Sequence, residues 1–129
     1  MKDHAERVGA QLLGVQESMV ERLAKNAFDA RVHVYGRTYE VRAVNAPILQ
    51  SEVGHALCEA RPDAVALVFT TTGKDVRVSL RSLGNLDTTP IAEAFFGGGH
   101  KNASGCTFSH ETAAKLWQTR TLVVGDPSA

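Results

Sequence analysis

An uninterrupted apolar run from Ala64 to Phe69 constrains the fold of this chain more than any other feature of its sequence. Apolar and polar residues do not alternate within the run, which is typical of a β-strand covered on both faces. Such a strand lies in the middle of a sheet, with helices packed against each side. The chain is therefore expected to be an α/β protein with this segment at its centre.

Alternating segments on either side of the run predict further strands. Residues 30–35 and 39–43 alternate around a turn at Gly36 and predict a hairpin. A second strand over residues 75–82 directs Val76, Val78 and Leu80 to one face, and residues 106–108 form a shorter candidate. The prediction is a mixed sheet of about five strands flanked by helices.

Three helices are predicted around these strands from their capping residues. The expected N-caps are Ser51 for the first helix, one of residues 87–89 for the second and Ser109 for the third. The third helix is expected to bury Ala113, Leu116 and Trp117.

The sheet is preceded by a segment with the spacing of one long helix. Its apolar residues recur every three or four positions over about residues 4–27, at Val8, Leu12, Val15, Met19 and Leu23. This helix can cover the domain's own sheet or reach toward a neighbouring domain. We divide the chain into an N-terminal helix at 1–29, which can link to a further domain, a globular domain at 30–124 and a disordered tail at 125–129.

Charge and composition limit the kinds of partner. Lys plus Arg and Asp plus Glu both number 14, so the chain has no global field for long nucleic acid and any anion site must be local. No segment has the length of a membrane span or the pattern of a signal peptide, so we expect a cytoplasmic protein without a membrane partner. Cys58 and Cys106 are expected to be reduced and largely buried.

The glycine-rich segment from Gly97 to Gly105 is the first candidate site. Successive glycines allow positive φ values and bring backbone N–H groups close to an anion without obstruction by side chains. His100 and Lys101 add side-chain donors beside this backbone. A glycine triplet is equally compatible with a flexible turn that only ends a helix.

The second candidate is the polar face of the strand at 75–82, which carries Ser79 and Arg81 beside Arg77. A guanidinium presents a rigid fork of donors that suits bidentate binding of phosphate, and a nearby hydroxyl adds a neutral donor. Taken alone, this alternation is more typical of a solvated strand face.

Together, the strand at 76–82 and the segment at 97–105 resemble the two signature segments of the DHH-associated domain. That domain is the C-terminal half of the Asp-His-His phosphoesterases, which include nanoRNases, RecJ exonucleases, cyclic-dinucleotide phosphodiesterases and exopolyphosphatase-related proteins. The resemblance extends over about residues 35–108 and includes the helix start at Ser51. Two residues depart from the pattern, since Phe96 stands where a fourth glycine is common and Ser104 stands where Ala is common.

The resemblance implies a nucleotide-phosphate-binding accessory domain that holds a substrate against the metal site of a DHH catalytic domain, in the same chain or a separate one. The ligand would be a short oligonucleotide, a nucleotide or a cyclic dinucleotide, and a second copy of the chain is a further candidate partner. The substrate-binding residues that it implies are Ser79, Arg81, Gly97, Gly98, Gly99, His100, Lys101 and Asn102.

No catalytic or metal-binding residue is expected in this chain. Its only Asp-His pair, Asp3-His4, is followed by Ala5, and the other histidines lack carboxylates at the spacing of a two-metal site. Mn²⁺ or Mg²⁺ is expected in the catalytic domain, and this chain alone is expected to be inactive. The alternative is an RNA-binding module like the C-terminal domain of alanyl-tRNA synthetases, although His100 directly after the glycines favours the phosphoesterase.

Overall fold

Seven strands form one sheet in the order β5-β6-β4-β3-β2-β1-β7 in the computed structural model, which describes residues 14–125. The β1–β7 and β2–β3 pairs are parallel and the other pairs are antiparallel, so the sheet is mixed, as predicted. The strands are β1 (Phe28–Val34), β2 (Arg37–Asn45), β3 (Val65–Thr71), β4 (Val76–Arg81), β5 (Gly98–His100), β6 (Ala103–Phe108) and β7 (Thr121–Val124).

Helices lie on both faces of this sheet. They are α1, described over residues 14–24, α2 (Gln50–Ala60), α3 (Thr89–Ala94) and α4 (His110–Thr119). On one face, Ile91 of α3 and Leu116 of α4 pack into the larger core cluster. On the other face, Val53 and Leu57 of α2 pack against Val68 in a smaller cluster. No helix in residues 14–125 is long and apolar enough to cross a membrane.

The central strand is β3, which confirms the prediction from the apolar run. Its side chains alternate between the two clusters, with Leu67 in the larger one and Val68 in the smaller one, and both are buried. The α/β class is therefore confirmed. The expected strand number was too low because β5 and β7 were not predicted: β5 consists of two glycines and a histidine, which have little intrinsic preference for strands, and β7 has four residues.

Helix starts agree only in part with the predicted caps. Ser109 caps α4, since its hydroxyl oxygen accepts a hydrogen bond from the Thr112 N–H at 3.1 Å. The cap predicted at Ser51 is wrong, because α2 begins earlier. Its N-cap is Leu49, in a left-handed conformation with φ 56°, and Ser51 lies inside the first turn. At α3, the N-cap is Thr88, while the Asp87 carboxylate accepts a hydrogen bond from the Thr89 N–H at 2.9 Å.

Only part of the apolar stripe predicted on α1 packs against this domain. Val20 and Leu23 pack against the smaller cluster, whereas Val15 is 59% exposed and Met19 is 36% exposed. Val8 and Leu12 lie outside the described residues, as do residues 126–129 of the predicted tail. Trp117 of α4 is also less buried than expected, at 38% exposure, although its ring stacks on Phe69.

Candidate functional site

Sheet register brings the two signature segments onto one face of the molecule. Strand β6 lies between β4 and β5, and its Ala103 is opposite both Arg81 of β4 and His100 of β5. Residues that are directly opposite each other in a sheet point to the same face. Arg81 and His100 therefore share a face, two strands apart, with about 10 Å between their Cα atoms. The neighbouring row aligns Ser79, Gly105 and Gly98 in the same way.

We call this surface the open face and define it by six residues: Ser79, Arg81, Gly98, His100, Ala103 and Gly105. The same side of the sheet is covered by α2 as far as β4, but beyond β4 the side chains of His100 and Ala103 are exposed. A β-carbon added at Gly98 would meet no atom within 4 Å. The floor of the open face consists of glycine and alanine, so a ligand can approach its backbone closely.

The glycine run differs from the predicted loop, because it is an edge strand. Gly99 has a φ of +147°, whereas Gly97 and Gly98 lie outside the left-handed region. Glycine is required at two of the three positions by close packing on β6. A β-carbon at Gly97 would lie 2.0 Å from the Gly105 carbonyl oxygen, and one at Gly99 would lie 2.6 Å from the Ser104 Cα. The run therefore provides a flat edge rather than a concave nest of successive N–H groups.

Arg81 is held against α2 by its aliphatic stem. A β-carbon added at Gly54 would lie only 2.9 Å from the Arg81 Cγ, so glycine at this position makes room for the arginine side chain. The guanidinium donates hydrogen bonds to the Leu80 carbonyl oxygen at 3.0 Å and to the Ser51 hydroxyl oxygen at 3.3 Å. The Arg81 stem is therefore fixed while its charged end faces the first turn of α2.

No carboxylate in the described part of the chain pairs with Arg81. Arg42 lies on the same side of the sheet, but its guanidinium donates to Asp29 at 3.0 Å. The contrast leaves the charge of Arg81 available to an anion, whereas that of Arg42 is neutralised.

Ser51 and Gly54 are site residues whose contacts with Arg81 sequence reasoning missed. A glycine inside a helix destabilises it by about 1 kcal/mol relative to alanine, so a mid-helix Gly54 is a signal of close packing. That signal was present in the sequence, but it does not say which side chain approaches. The approaching side chain is that of Arg81, which is separated from Gly54 in the sequence by strand β3 and a turn, so only the fold identifies it.

Lys101 and Asn102 form the turn between β5 and β6 and face a neighbouring loop. The Lys101 ammonium donates to the Asn85 side-chain oxygen at 3.2 Å. The Asn102 amide donates to the Ser82 hydroxyl at 2.9 Å and to the Gly84 carbonyl at 3.2 Å. These contacts give Asn102 a structural role in holding residues 82–86 beside the site. A direct role for either residue in binding stays a prediction.

A buried pair of hydroxyls fixes the same turn to α3. The Thr88 and Ser104 side-chain oxygens lie 2.6 Å apart, and the Thr88 hydroxyl also donates to the Lys101 carbonyl oxygen at 3.0 Å. Both residues are buried. Ser104 therefore has a specific partner at a position where Ala is common in the resembled pattern.

Replacing Thr88 with valine should destabilise the domain by about 1–3 kcal/mol. The substitution keeps the shape of the side chain but leaves the buried Ser104 hydroxyl without this partner, whereas the Lys101 carbonyl still accepts a hydrogen bond from the backbone N–H of residue 88. Urea unfolding followed by circular dichroism measures the change. Thr107→Val, at an exposed threonine on β6, is the matched control and should change stability by less than about 0.5 kcal/mol. Equal stability of the two variants would contradict a structural role for the buried pair.

Two acid–base groups near the site have shifted pKa values. Burial raises the pKa of the Cys106 thiol to about 12. The thiol thus stays protonated near neutral pH and is a poor nucleophile, and both cysteines are free. Hydrogen bonds from Thr89 lower the pKa of Asp87, which keeps that carboxylate charged.

Residues 14–125 contain no group of three or more His, Cys, Asp or Glu side chains placed to hold a metal ion. Two of the histidines have partners elsewhere, since His33 contacts the Thr38 hydroxyl at 2.8 Å and His55 contacts Glu59 at 2.6 Å. The Asp3-His4 pair lies outside the described residues.

The fold and the open face define an α/β domain whose mixed sheet is left uncovered at a glycine-rich edge. The DHHA1 domain model matches residues 35–120, which is more than half of the chain. The chain belongs to the DHHA1 domain family.

A curated relative and two solved structures are similar to this chain. Oligoribonuclease NrnB of Bacillus subtilis (strain 168) is 30% identical over 102 residues, which cover 78% of this chain and 25% of that protein. The chain thus spans about a quarter of the length of this relative.

An uncharacterised protein from Helicobacter pylori G27 is 25% identical, with a TM-score of 0.50 over 63% of this chain and 23% of that one. The pGpG-specific phosphodiesterase PggH of Vibrio cholerae is 12% identical, with a TM-score of 0.58 over 92% of this chain and 41% of that one. At this identity the likeness to PggH is one of fold.

Proposed function

We propose that this chain is the substrate-binding domain of a DHH-family phosphoesterase. In this proposal the open face holds the phosphate groups of a short oligonucleotide, a nucleotide or a cyclic dinucleotide. The observation that carries it is the alignment of Arg81 and His100 on one face of the sheet, across the exposed Ala103. The relationship to an oligoribonuclease supports a ligand of this class.

Each element of the open face has a chemical task in this proposal. Arg81 offers a charged fork whose orientation is fixed by its packed stem, and Ser79 offers a hydroxyl one row away on the same strand. Such charge-assisted hydrogen bonds are about twice as strong as neutral ones. His100 supplies a donor at the opposite edge, and the glycine floor lets the phosphate backbone lie between the two side chains.

Hydrolysis would belong to a DHH catalytic domain that faces the open face. Mn²⁺ or Mg²⁺ bound by that domain would activate water and stabilise the charge of the transition state. The residues of this chain would bind and orient the substrate. The exposed Val15 and Met19 of α1 support a second contact with the same domain, consistent with α1 as the link to it.

His100→Ala should weaken binding of a 5′-phosphorylated diribonucleotide by about tenfold, because it removes one hydrogen bond to a charged group. Titration calorimetry at low salt measures the affinity of the parent chain, which should fall as salt is added. His110→Ala is the matched control, since His110 is also exposed but begins α4, away from the open face. Equal binding by the parent and His100→Ala would show that the ligand does not contact His100 and would contradict a phosphate held between Arg81 and His100.

A further inference from the structure

Phe96 places an aromatic ring in full contact with solvent at a backbone position that favours glycine. The residue is 100% exposed and has a φ of 63°. It follows the C-cap of α3, where its N–H donates to the Glu93 carbonyl at 3.0 Å and the Gly97 N–H donates to the Ala92 carbonyl at 2.8 Å. These two hydrogen bonds form a Schellman motif, in which the left-handed residue is usually glycine.

The folded domain gains nothing from the Phe96 ring. A β-carbon in the left-handed region strains the backbone, and a fully exposed ring contributes no burial to offset that strain. Residues that break local preferences without compensation in the fold are concentrated at functional sites. Phe95, the preceding residue, packs its ring on Phe108 with centroids 4.5 Å apart and so anchors the base of the motif.

The exposed ring borders a cleft that continues into the open face. This open cleft has a volume of about 510 Å³, and its lining includes Phe96, Arg77, Ser79, Gly105 and Thr107. Ser79 and Gly105 belong to both surfaces. An aromatic ring is thus placed beside a cationic side chain, two hydroxyls and a glycine floor. Such a combination is typical of single-stranded nucleic acid sites, where bases stack on aromatic rings while basic groups follow the phosphates.

We propose that Phe96 is a stacking platform for a nucleobase of the ligand whose phosphates lie on the open face. This inference rests on the proposed function and narrows its ligand class. The ligand would carry a base and would not be a bare polyphosphate. The cleft combines the apolar ring of Phe96 with the charge of Arg77 and the hydroxyl of Thr107, which suits a base joined to a phosphate better than a wholly apolar protein segment.

The Phe96→Gly variant distinguishes a role in binding from a role in stability, because the substitution should raise the thermal stability of the domain and weaken its binding of the ligand. Relief of the left-handed strain should raise the Tm by about 4 °C. Loss of stacking should raise the Kd for the 5′-phosphorylated diribonucleotide by about tenfold. The parent should bind an abasic analogue with the same phosphates about tenfold more weakly than the diribonucleotide, and Phe96→Gly should weaken that binding no further.

Val123→Ala is the matched control. Val123 is also an exposed apolar residue, with 64% exposure, but it lies on β7, at the opposite edge of the sheet from β5. This variant should bind the diribonucleotide like the parent. A comparable loss of affinity in Val123→Ala would overturn the assignment of the base to Phe96.

Failure of the inference can be told apart from failure of the proposed function. If the parent binds neither the diribonucleotide nor the abasic analogue, the proposed function is wrong. If the parent binds both and Phe96→Gly binds the diribonucleotide equally well, the stacking role is wrong and the open face stands. A loss that is equal for the two ligands would also reject stacking, because it would assign the ring to a contact that does not involve the base.

Discussion

Gly97→Ala should destabilise the domain by about 3 kcal/mol or more, whereas Gly98→Ala should leave its stability nearly unchanged. A β-carbon at position 97 would lie 2.0 Å from the Gly105 carbonyl oxygen and 2.8 Å from the Cys106 Cα. Backbone atoms cannot rotate away as side chains do, so the β5–β6 edge would have to separate. At position 98 the same methyl group points into open space.

Urea unfolding measured by the fluorescence of Trp117, the only tryptophan, distinguishes these two glycine variants. The adjacent positions have the same residue type, so a difference between them reports the local geometry and not the general effect of replacing glycine. Equal unfolding midpoints for Gly97→Ala and Gly98→Ala would contradict the edge strand and would instead support a free glycine loop.

Arg81→Ala should weaken binding of the phosphorylated diribonucleotide by about 10- to 100-fold. The substitution removes a charged, bidentate donor that no carboxylate neutralises in the described residues, and a loss of this size corresponds to about 1–3 kcal/mol. Arg81→Lys should restore only part of the affinity, because an ammonium retains the charge but not the fork of donors. Titration calorimetry at a fixed salt concentration measures all three proteins.

Arg42→Ala provides the matched control for Arg81. Both arginines lie on the same side of the sheet, but the Arg42 guanidinium is paired with Asp29. Its removal should leave affinity unchanged. Loss of binding by Arg42→Ala alone would move the ligand away from the open face and toward the β1–β2 end of the sheet.

The fold was predictable where the signal was local. The apolar run at 64–69, the alternation at 76–81 and the cap at Ser109 depend on residues that are close in sequence, and all three agree with the structure. Strand β5 was not predictable in this way, because two glycines and a histidine have no strand preference of their own. Its conformation comes from pairing with β6, and so from tertiary structure.

The residues of the site could be proposed from the sequence, but only the resemblance to a family joined the two segments into one site. Alternation placed Ser79 and Arg81 on one strand face, but it could not relate them to His100, which is 19 positions beyond Arg81 in the chain. That relation depends on the position of β6 between the two strands, which no short-range pattern specifies. The Schellman geometry at Phe96 was equally hidden, since the sequence showed only a missing glycine.

Ala103 is paired through the backbone with both Arg81 and His100, so the pairing of the three strands fixes the distance between those two residues. A ligand would meet a surface that is already shaped, so little conformational entropy would be lost by the protein on binding. The sheet would therefore fix the spacing between the two contacts that it offers to a ligand. Ligands would be selected by the distance between their anionic groups, and a substrate too short to reach both side chains would make only one of the two contacts.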